Sequence, residues 1–305
     1  MRIILIGQAA FAEKVLEGLR ANGHDVAAVY CPPDAAGAKP DPVKARATTL
    51  GIPVRQHASL KRPEVVDEFT QCNADLGVLA YVTQIVPPSV FAVPRLGSIC
   101  FHPSLLPKYR GGSAIPWQII KGETHSGVSV FWVDPGIDTG PILLQKSAPI
   151  GPDDTGGSLY FNTLFPLGVD VVLESVQLIA AGTAPRVKQD ESQASYDPLC
   201  RDEHAAIDWS RPLPLLYNLI RGCDPQPGAF TPFKGDKLRF YDCRALAGGT
   251  HQPGVVEEIS ADGMIVGSVG GAIRVRRVRI GGQKIAAAEF AAGNGIRRGV
   301  DFTRS

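Results

Sequence analysis

The chain opens with RIILIG (Arg2 to Gly7), a short unbroken apolar run that restricts everything after it. A strand that is apolar at every position must be covered on both faces, as the strands of a parallel sheet are. The next residues, AFAEKVLEGLRANGH, place apolar side chains at helical spacing and stop at Gly23. A second apolar run, VAAVYC, completes a β-α-β unit, which predicts a parallel sheet with right-handed crossovers. ADLGVLAYV (Ala74 to Val82), GSICFH, GVSVFWVD and PILLQKSAPI read as further strands, with VKARATTLG and AIPWQIIKGE as helices. The first turn, GQAAFA, is not G-x-G-x-x-G, so the strand–helix junction lacks the glycines of a dinucleotide site.

A long helical pattern runs from Asp153 to Gly182, with Asp153, Asp154 and Thr155 as cap candidates and a kink expected at Pro166. The polar stretch that follows reads as a linker. Beyond it IDWSRPLPLLYNLIRG reads as one helix, and KLRFYDC, PGVVEEI, GMIVGSV and AIRVRRVRI as short strands between turns. The expected division is therefore an α/β domain over 1–183, a linker over 184–203 and a smaller β-rich, barrel-like domain over 204–305. In RVRRVRI (Arg274 to Ile280) arginines alternate with apolar residues until the phase changes at Arg277, as at a bulge or strand end. This segment reads as a solvated strand face. The alternative is a patch for RNA or another anion, which the lack of interleaved aromatics weighs against.

A net charge of +1 over 305 residues gives no bulk attraction to nucleic acid or an anionic membrane. No apolar run reaches the roughly 18 residues of a membrane span, and MRIILIG is too short for a signal-peptide core. A cytoplasmic protein is expected. The six cysteines form no C-x-x-C pair, which predicts unpaired thiols and no zinc site; no metal is expected.

The stretch SICFHPSLLPKYRGG carries the chemistry. Pro103 pushes His102 into the extended region, which puts Cys100 and His102 on one face and Phe101 on the other. His102 also ends a strand, and open α/β sheets place their ligand crevices at carboxyl strand ends. A single histidine is equally at home as a packing residue, and the other five read as surface or packing residues. DPGIDTG (Asp134 to Gly140) adds two acids in a glycine-rich turn. A carboxylate beside an imidazole fixes its tautomer and favours the imidazolium, which suits acid–base work near neutrality. Periodicity alone does not bring Asp138 to His102.

HPSLLPKYRG, followed 36 residues after its histidine by the aspartate of IDTG, resembles the formyltransferase family, whose members use 10-formyltetrahydrofolate. The resemblance extends over nearly the whole chain, including GQAAFA and IDWSRP…LIRG. It implies the formyltransferase fold: a Rossmann-like, mostly parallel sheet with a smaller carboxyl-terminal OB-like barrel. It implies His102 as general acid/base, Asp138 as its carboxylate partner, and 10-formyltetrahydrofolate as formyl donor, with no metal. Ser104, Leu105, Leu106 and Pro107 would line the folate pocket, and Gln84, Ile85 and Val86 would meet the pterin edge through backbone groups. Plain core packing is the competing role for the leucines.

Cys100 departs from the family pattern, which has an asparagine that donates to the developing oxyanion. Losing one such donor costs about 2.7–4 kcal/mol in barrier, and a thiol is a weak replacement. The amino-terminal hydrolase domain of 10-formyltetrahydrofolate dehydrogenase also lacks the asparagine. HPSLLP, VFWVDPGIDTG, PDDTGGSLYFNTLFP and LIRGCDPQPGAF resemble that branch, without its carrier and aldehyde dehydrogenase domains. The reaction implied is hydrolysis of 10-formyltetrahydrofolate or formyl transfer to a small amine. Methionyl-tRNA formyltransferase is an alternative, disfavoured because PPDAAGAKPDPVK is shorter and less basic than the matching tRNA-contacting loop. A sugar-nucleotide formyltransferase and a non-catalytic folate-binding protein are the remaining readings. In Cys100 itself the sequence leaves three roles open: apolar filler, weak donor, or oxidisable thiol.

Overall fold

Seven strands build the first sheet, and their order follows from the β-α-β opening. The computed structural model describes residues 1–304. In chain order come β1 (Arg2–Gly7), α1 (Ala9–Ala21), β2 (Asp25–Cys31), α2 (Pro42–Thr49), β3 (Val54–Gln56), α3 (Pro63–Gln71), β4 (Leu76–Ala80), α4 (Pro88–Phe91) and β5 (Ser98–His102). There follow α5 (Ala114–Ile120), β6 (His125–Trp132) and β7 (Ile142–Pro149). The strand order is β3-β2-β1-β4-β5-β6-β7. β1 lies between β2 and β4 and pairs with both in parallel. β3 and β5 extend this parallel arrangement, and β6 returns antiparallel to β5 with His102 opposite Ser129. The order steps from β1 to β4 at the sheet's centre, the kind of switch point where such sheets open a crevice at the carboxyl ends of the strands.

The long helical pattern forms in three pieces. α6 (Gly156–Leu159) starts at Thr155, whose hydroxyl accepts from the Ser158 amide in a capping box. A π-helical stretch, Tyr160–Leu164, follows, and α7 (Phe165–Ala180) completes it. Pro166 has no N–H to give the preceding turn, and the wider π-helical turn lies just before it. By length and composition Gly156–Ala180 is apolar enough to cross a membrane, an 18-residue window within it having mean hydropathy 1.5. That corrects the expectation that no segment is: Asn162, Asp170 and Glu174 interrupt the run as written, but the average still qualifies. Its stripe of Gly168, Val171, Val172, Ser175, Val176 and Ile179 is buried in the fold, which is how a core helix behaves. Gly168 is needed there, because a Cβ would sit 2.4 Å from the Phe101 ring. Phe101 in turn stacks on Phe11 of α1 at 4.3 Å, so β5 is gripped on the face opposite Cys100 and His102.

The chain forms two compact units, and their boundaries differ from the sequence expectation. The first comprises Met1–Gly112, Ser126–Ala148 and Asn162–Tyr196; the second Ser113–His125, Pro149–Phe161 and Asp197–Ser305. The excursion at 113–125 joins the second unit because α5 packs on α8 (Leu213–Gly222). The approach is close: a Cβ on Gly222 would meet Ile120 at 2.7 Å. The stretch read as a linker is ordered and divides between the units at Tyr196.

The second unit holds β8 (Phe230–Phe233), β9 (Asp236–Ala247), β10 (Val256–Ser260), β11 (Gly263–Ser268), β12 (Gly271–Arg279), β13 (Ile285–Ala286) and α9 (Ala287–Asn294). Its order is β10-β11-β12-β9-β8, with β13 on β12. Among the described residues this is the smaller antiparallel, β-rich unit expected, its strand pairings running as an unclosed path. Trp209, Leu216, Phe240, Val275 and Phe302 are among its core side chains. RVRRVRI lies on β12, where the pairing runs Val275↔Cys243 and then Arg277↔Tyr241. Between them Arg276 stands opposite Asp242, held at φ 51°, which accounts for the change of phase. Arg274 and Arg276 both pair with Asp262, at 2.7 and 3.2 Å, so one carboxylate offsets part of this face's positive charge. All six cysteines are free thiols.

At the β1–α1 junction both carboxylate oxygens of Asp41 lie within 3.0 Å of the Ala9 amide. The same side chain accepts from Val43 to cap α2. The start of α1, where nucleotide-binding relatives of this sheet hold a phosphate, therefore already carries the chain's own anion. Gly7 is fixed by backbone proximity, since a Cβ would lie 2.2 Å from the Ala80 carbonyl oxygen of β4. Gly7→Ala should destabilise the fold by about 1–3 kcal/mol, because two central strands must part. Thermal or urea unfolding checks this, and an unchanged midpoint contradicts the close approach.

Candidate active site

His102 closes β5 in the extended conformation that Pro103 favours, and it is only 6 % exposed. Its Nε2 lies 2.7 Å from the Tyr109 carbonyl oxygen. A carbonyl can only accept, so Nε2 carries a proton and donates it. Nδ1 is left as the nitrogen that can gain or lose one, and it faces Asp138 Oδ2 at 3.5 Å. The juxtaposition that sequence periodicity could not provide is therefore present. Its elements come from far apart: β5 supplies the histidine, the Lys108–Gly111 turn the carbonyl, and the β6–β7 turn the acid.

The two acids of DPGIDTG have different work. Asp134 Oδ1 accepts from the Gly136 amide at 3.1 Å and the Thr139 hydroxyl at 2.6 Å, closing the turn on itself. Asp138 points the other way, accepting from the Gly111 amide at 2.7 Å. Gly140 must be glycine, since a Cβ would come within 1.7 Å of the Trp132 carbonyl oxygen. Asp138 has φ 55° and Tyr109 φ 59°, left-handed values that side chains other than glycine rarely adopt. Each strained residue thus presents a group to His102.

Cys100 lies on the same face of β5, with its thiol 3.5 Å from the Phe101 carbonyl oxygen. Burial, and then the nearby Asp138 charge, push this thiol well above the ordinary cysteine range. That direction favours the neutral thiol, the less nucleophilic form.

The segment after His102 is stitched down from behind. Ser104 is fully buried, with its hydroxyl donating to the Lys108 carbonyl. Ser129 of β6 donates to the Ser104 carbonyl, and Gln145 of β7 donates to that of Leu106. Leu106 is core, while Leu105 and Pro107 are half-buried. In the loop after β4, Gln84 donates to the His57 carbonyl, but its Oε1 is buried without a protein partner. Ile85 is 68 % exposed, and Val86 packs on the core beside Cys100.

Sequence reasoning missed the groups that hold the pair in place. These are the Tyr109 carbonyl, the Gly111 amide, and a strap over 185–196. Arg110 could have been suspected from KYRGG, but nothing in the polar stretch around Gln189 marks it.

The amino-terminal part of the chain matches the family model for formyl transferase over residues 1–167, and that for its carboxyl-terminal domain matches residues 200–295. The chain belongs to the formyl transferase family. Human cytosolic 10-formyltetrahydrofolate dehydrogenase is 40 % identical over 273 residues, 84 % of this chain but 30 % of that protein. The chain thus spans less than a third of the dehydrogenases it matches. Methionyl-tRNA formyltransferase of Geobacter sulfurreducens is 38 % identical over 299 residues, covering 96 % of this chain and 94 % of its own. Among solved structures, HypX from Aquifex aeolicus in complex with tetrahydrofolic acid superposes with a TM-score of 0.71 at 19 % identity, covering 95 % of this chain and 47 % of that one. An N-formyltransferase from Helicobacter canadensis gives 0.68 at 21 % identity, covering 93 % and 99 %. At those identities the superpositions establish the formyltransferase fold.

The state of Cys100 is directly measurable. Brief alkylation of the native protein at pH 8, followed by peptide mass spectrometry, should leave Cys100 unmodified. Labelling at the rate of a free cysteine would contradict a half-buried thiol held in its neutral form.

Proposed function

We propose that this chain is a 10-formyltetrahydrofolate-dependent enzyme that releases the formyl group to water or passes it to a small amine, with His102 and Asp138 as its acid–base pair. The observation that carries the reading is the oriented imidazole: Nε2–H is committed to Tyr109, and Nδ1 faces the Asp138 carboxylate at 3.5 Å. The donor brings a formyl carbonyl on a nitrogen leaving group. His102 Nδ1 takes the proton of the attacking water or amine and returns one to the departing nitrogen. Asp138 stabilises the imidazolium in between, and Nε2–H does not move. Gln84 to Val86 and Ser104 to Pro107 would hold the folate. The unpartnered Gln84 Oε1 and the exposed Ile85 suit a flat heterocycle with N–H donors and an apolar face.

Cys100 favours a hydrolase-like reaction over an efficient transferase. A neutral thiol stands where most family members place an amide donor, and the dehydrogenase relatives at 40 % identity support that branch. Methionyl-tRNA formyltransferase is the second reading, favoured by the Geobacter relative that this chain matches over 94 % of its length. The ion pairing of Arg274 and Arg276 to Asp262 leaves less free positive charge for a tRNA backbone.

Incubation with 10-formyltetrahydrofolate alone, following formate and tetrahydrofolate, separates the two. Turnover without an amine selects the hydrolase; turnover only with charged initiator tRNA selects the tRNA enzyme. His102→Ala should lower the rate about 10²–10⁴-fold, the usual share of general acid–base catalysis, while folate binding is retained. Survival of activity removes His102 from the mechanism. Cys100→Asn should accelerate formyl transfer relative to Cys100→Ala if the site is still shaped for an amide donor. Equal rates assign Cys100 to packing.

A further inference from the structure

Asp138 and Tyr109 both sit in left-handed backbone, a conformation worth about 1–3 kcal/mol of strain at each position, so neighbouring contacts must hold them. Several of those contacts come from one segment, the strap over 185–196. It is anchored by paired backbone hydrogen bonds between Val187 and Ile142, at 2.8 and 2.9 Å. The Trp132 indole also donates to the Pro185 carbonyl, and the Arg186 guanidinium lies 3.7 Å from the centre of the same ring. At the far end the Ser195 hydroxyl accepts from the Tyr109 amide at 2.8 Å, and its carbonyl accepts from Arg110 at 2.9 Å.

Between these anchors Gln189 turns inward and is 4 % exposed. Its Nε2 donates to two carbonyls of the catalytic turn, Asp138 at 2.9 Å and Gly140 at 2.7 Å. Its Oε1 accepts from Arg110 Nη2 at 2.8 Å and Nε at 3.3 Å. The amide orientation is dictated by its surroundings, since guanidinium N–H groups require an oxygen and carbonyls require an N–H. Arg110 is completed by Glu191, at 2.7 and 2.9 Å. One side chain therefore joins the turn that bears Asp138 to the turn whose carbonyl and amide hold His102 and Asp138.

We propose that Gln189 is a positioning residue, fixing Asp138 against His102 by holding the carbonyls of Asp138 and Gly140 while braced on Arg110. This rests on the proposed roles of His102 and Asp138, and its test is built to separate the two claims. Gln189→Glu keeps an acceptor for Arg110 but faces the two carbonyls with an oxygen, so it removes only the link to the Asp138 turn. Gln189→Met removes both links at similar size. A melt confirms which variant is folded.

In a folded variant, kcat for formyl release from 10-formyltetrahydrofolate should fall about 10- to 100-fold, the effect of a small misplacement of a catalytic group. KM should change little. In an Asp138→Asn background the same substitution should have no further effect, because it acts through that residue. Lys14→Ala, a surface substitution on α1 that removes only the pairing with Glu17, should leave kcat as it is. Undiminished kcat in a folded variant overturns the proposal, as does an equal loss in both backgrounds. If Asp138→Asn alone is silent, the acid–base reading fails, and the ring-nitrogen NMR resonances of His102 decide the positioning claim by themselves. They should move in Gln189→Glu and stay in Lys14→Ala. Unmoved resonances in Gln189→Glu overturn it.

Discussion

The hydrogen bond from His102 Nε2 to the Tyr109 carbonyl is the contact on which the site depends. Without it the imidazole could present either nitrogen, and Asp138 would face a ring of undetermined tautomer. With it, only Nδ1 can exchange a proton, and it does so beside a carboxylate. The bond is made by main chain, so its direction depends on the conformation of the Lys108–Gly111 turn rather than on a side-chain rotamer. That conformation is strained at Tyr109 and is held by Ser195 from outside the turn.

Much of this was legible in the sequence where local chemistry determines structure. The unbroken apolar run of β1 requires cover on both faces, and the parallel sheet supplies it. Pro103 and the two-residue period place Cys100 and His102 together with Phe101 opposite, as observed from the stacking of Phe101 on Phe11. What could not be read depends on contacts distant along the chain. The meeting of His102 and Asp138 was available through family resemblance only. The return of 113–125 to the second unit depends on α5 meeting α8, which no window of sequence encodes. The stretch 184–203 looked like a linker because it is polar and aperiodic, yet its polar groups are spent on the backbone of the catalytic turns.

Two side chains set the charge near the carboxyl ends of the strands. Burial and the nearby Asp138 charge favour the neutral Cys100 thiol on the His102 face of β5. The Asp41 carboxylate fills the start of α1, a position that otherwise favours an anion.

The strap also imposes an order of events. His102 and Asp138 leave the ribosome well before Gln189, which is 51 residues beyond Asp138 along the chain. A nascent chain can contain the whole sequence motif and the complete seven-stranded sheet while its acid and its imidazole are still unregistered. The contacts around His102 and Asp138 are thus completed by a segment that follows α7 along the chain.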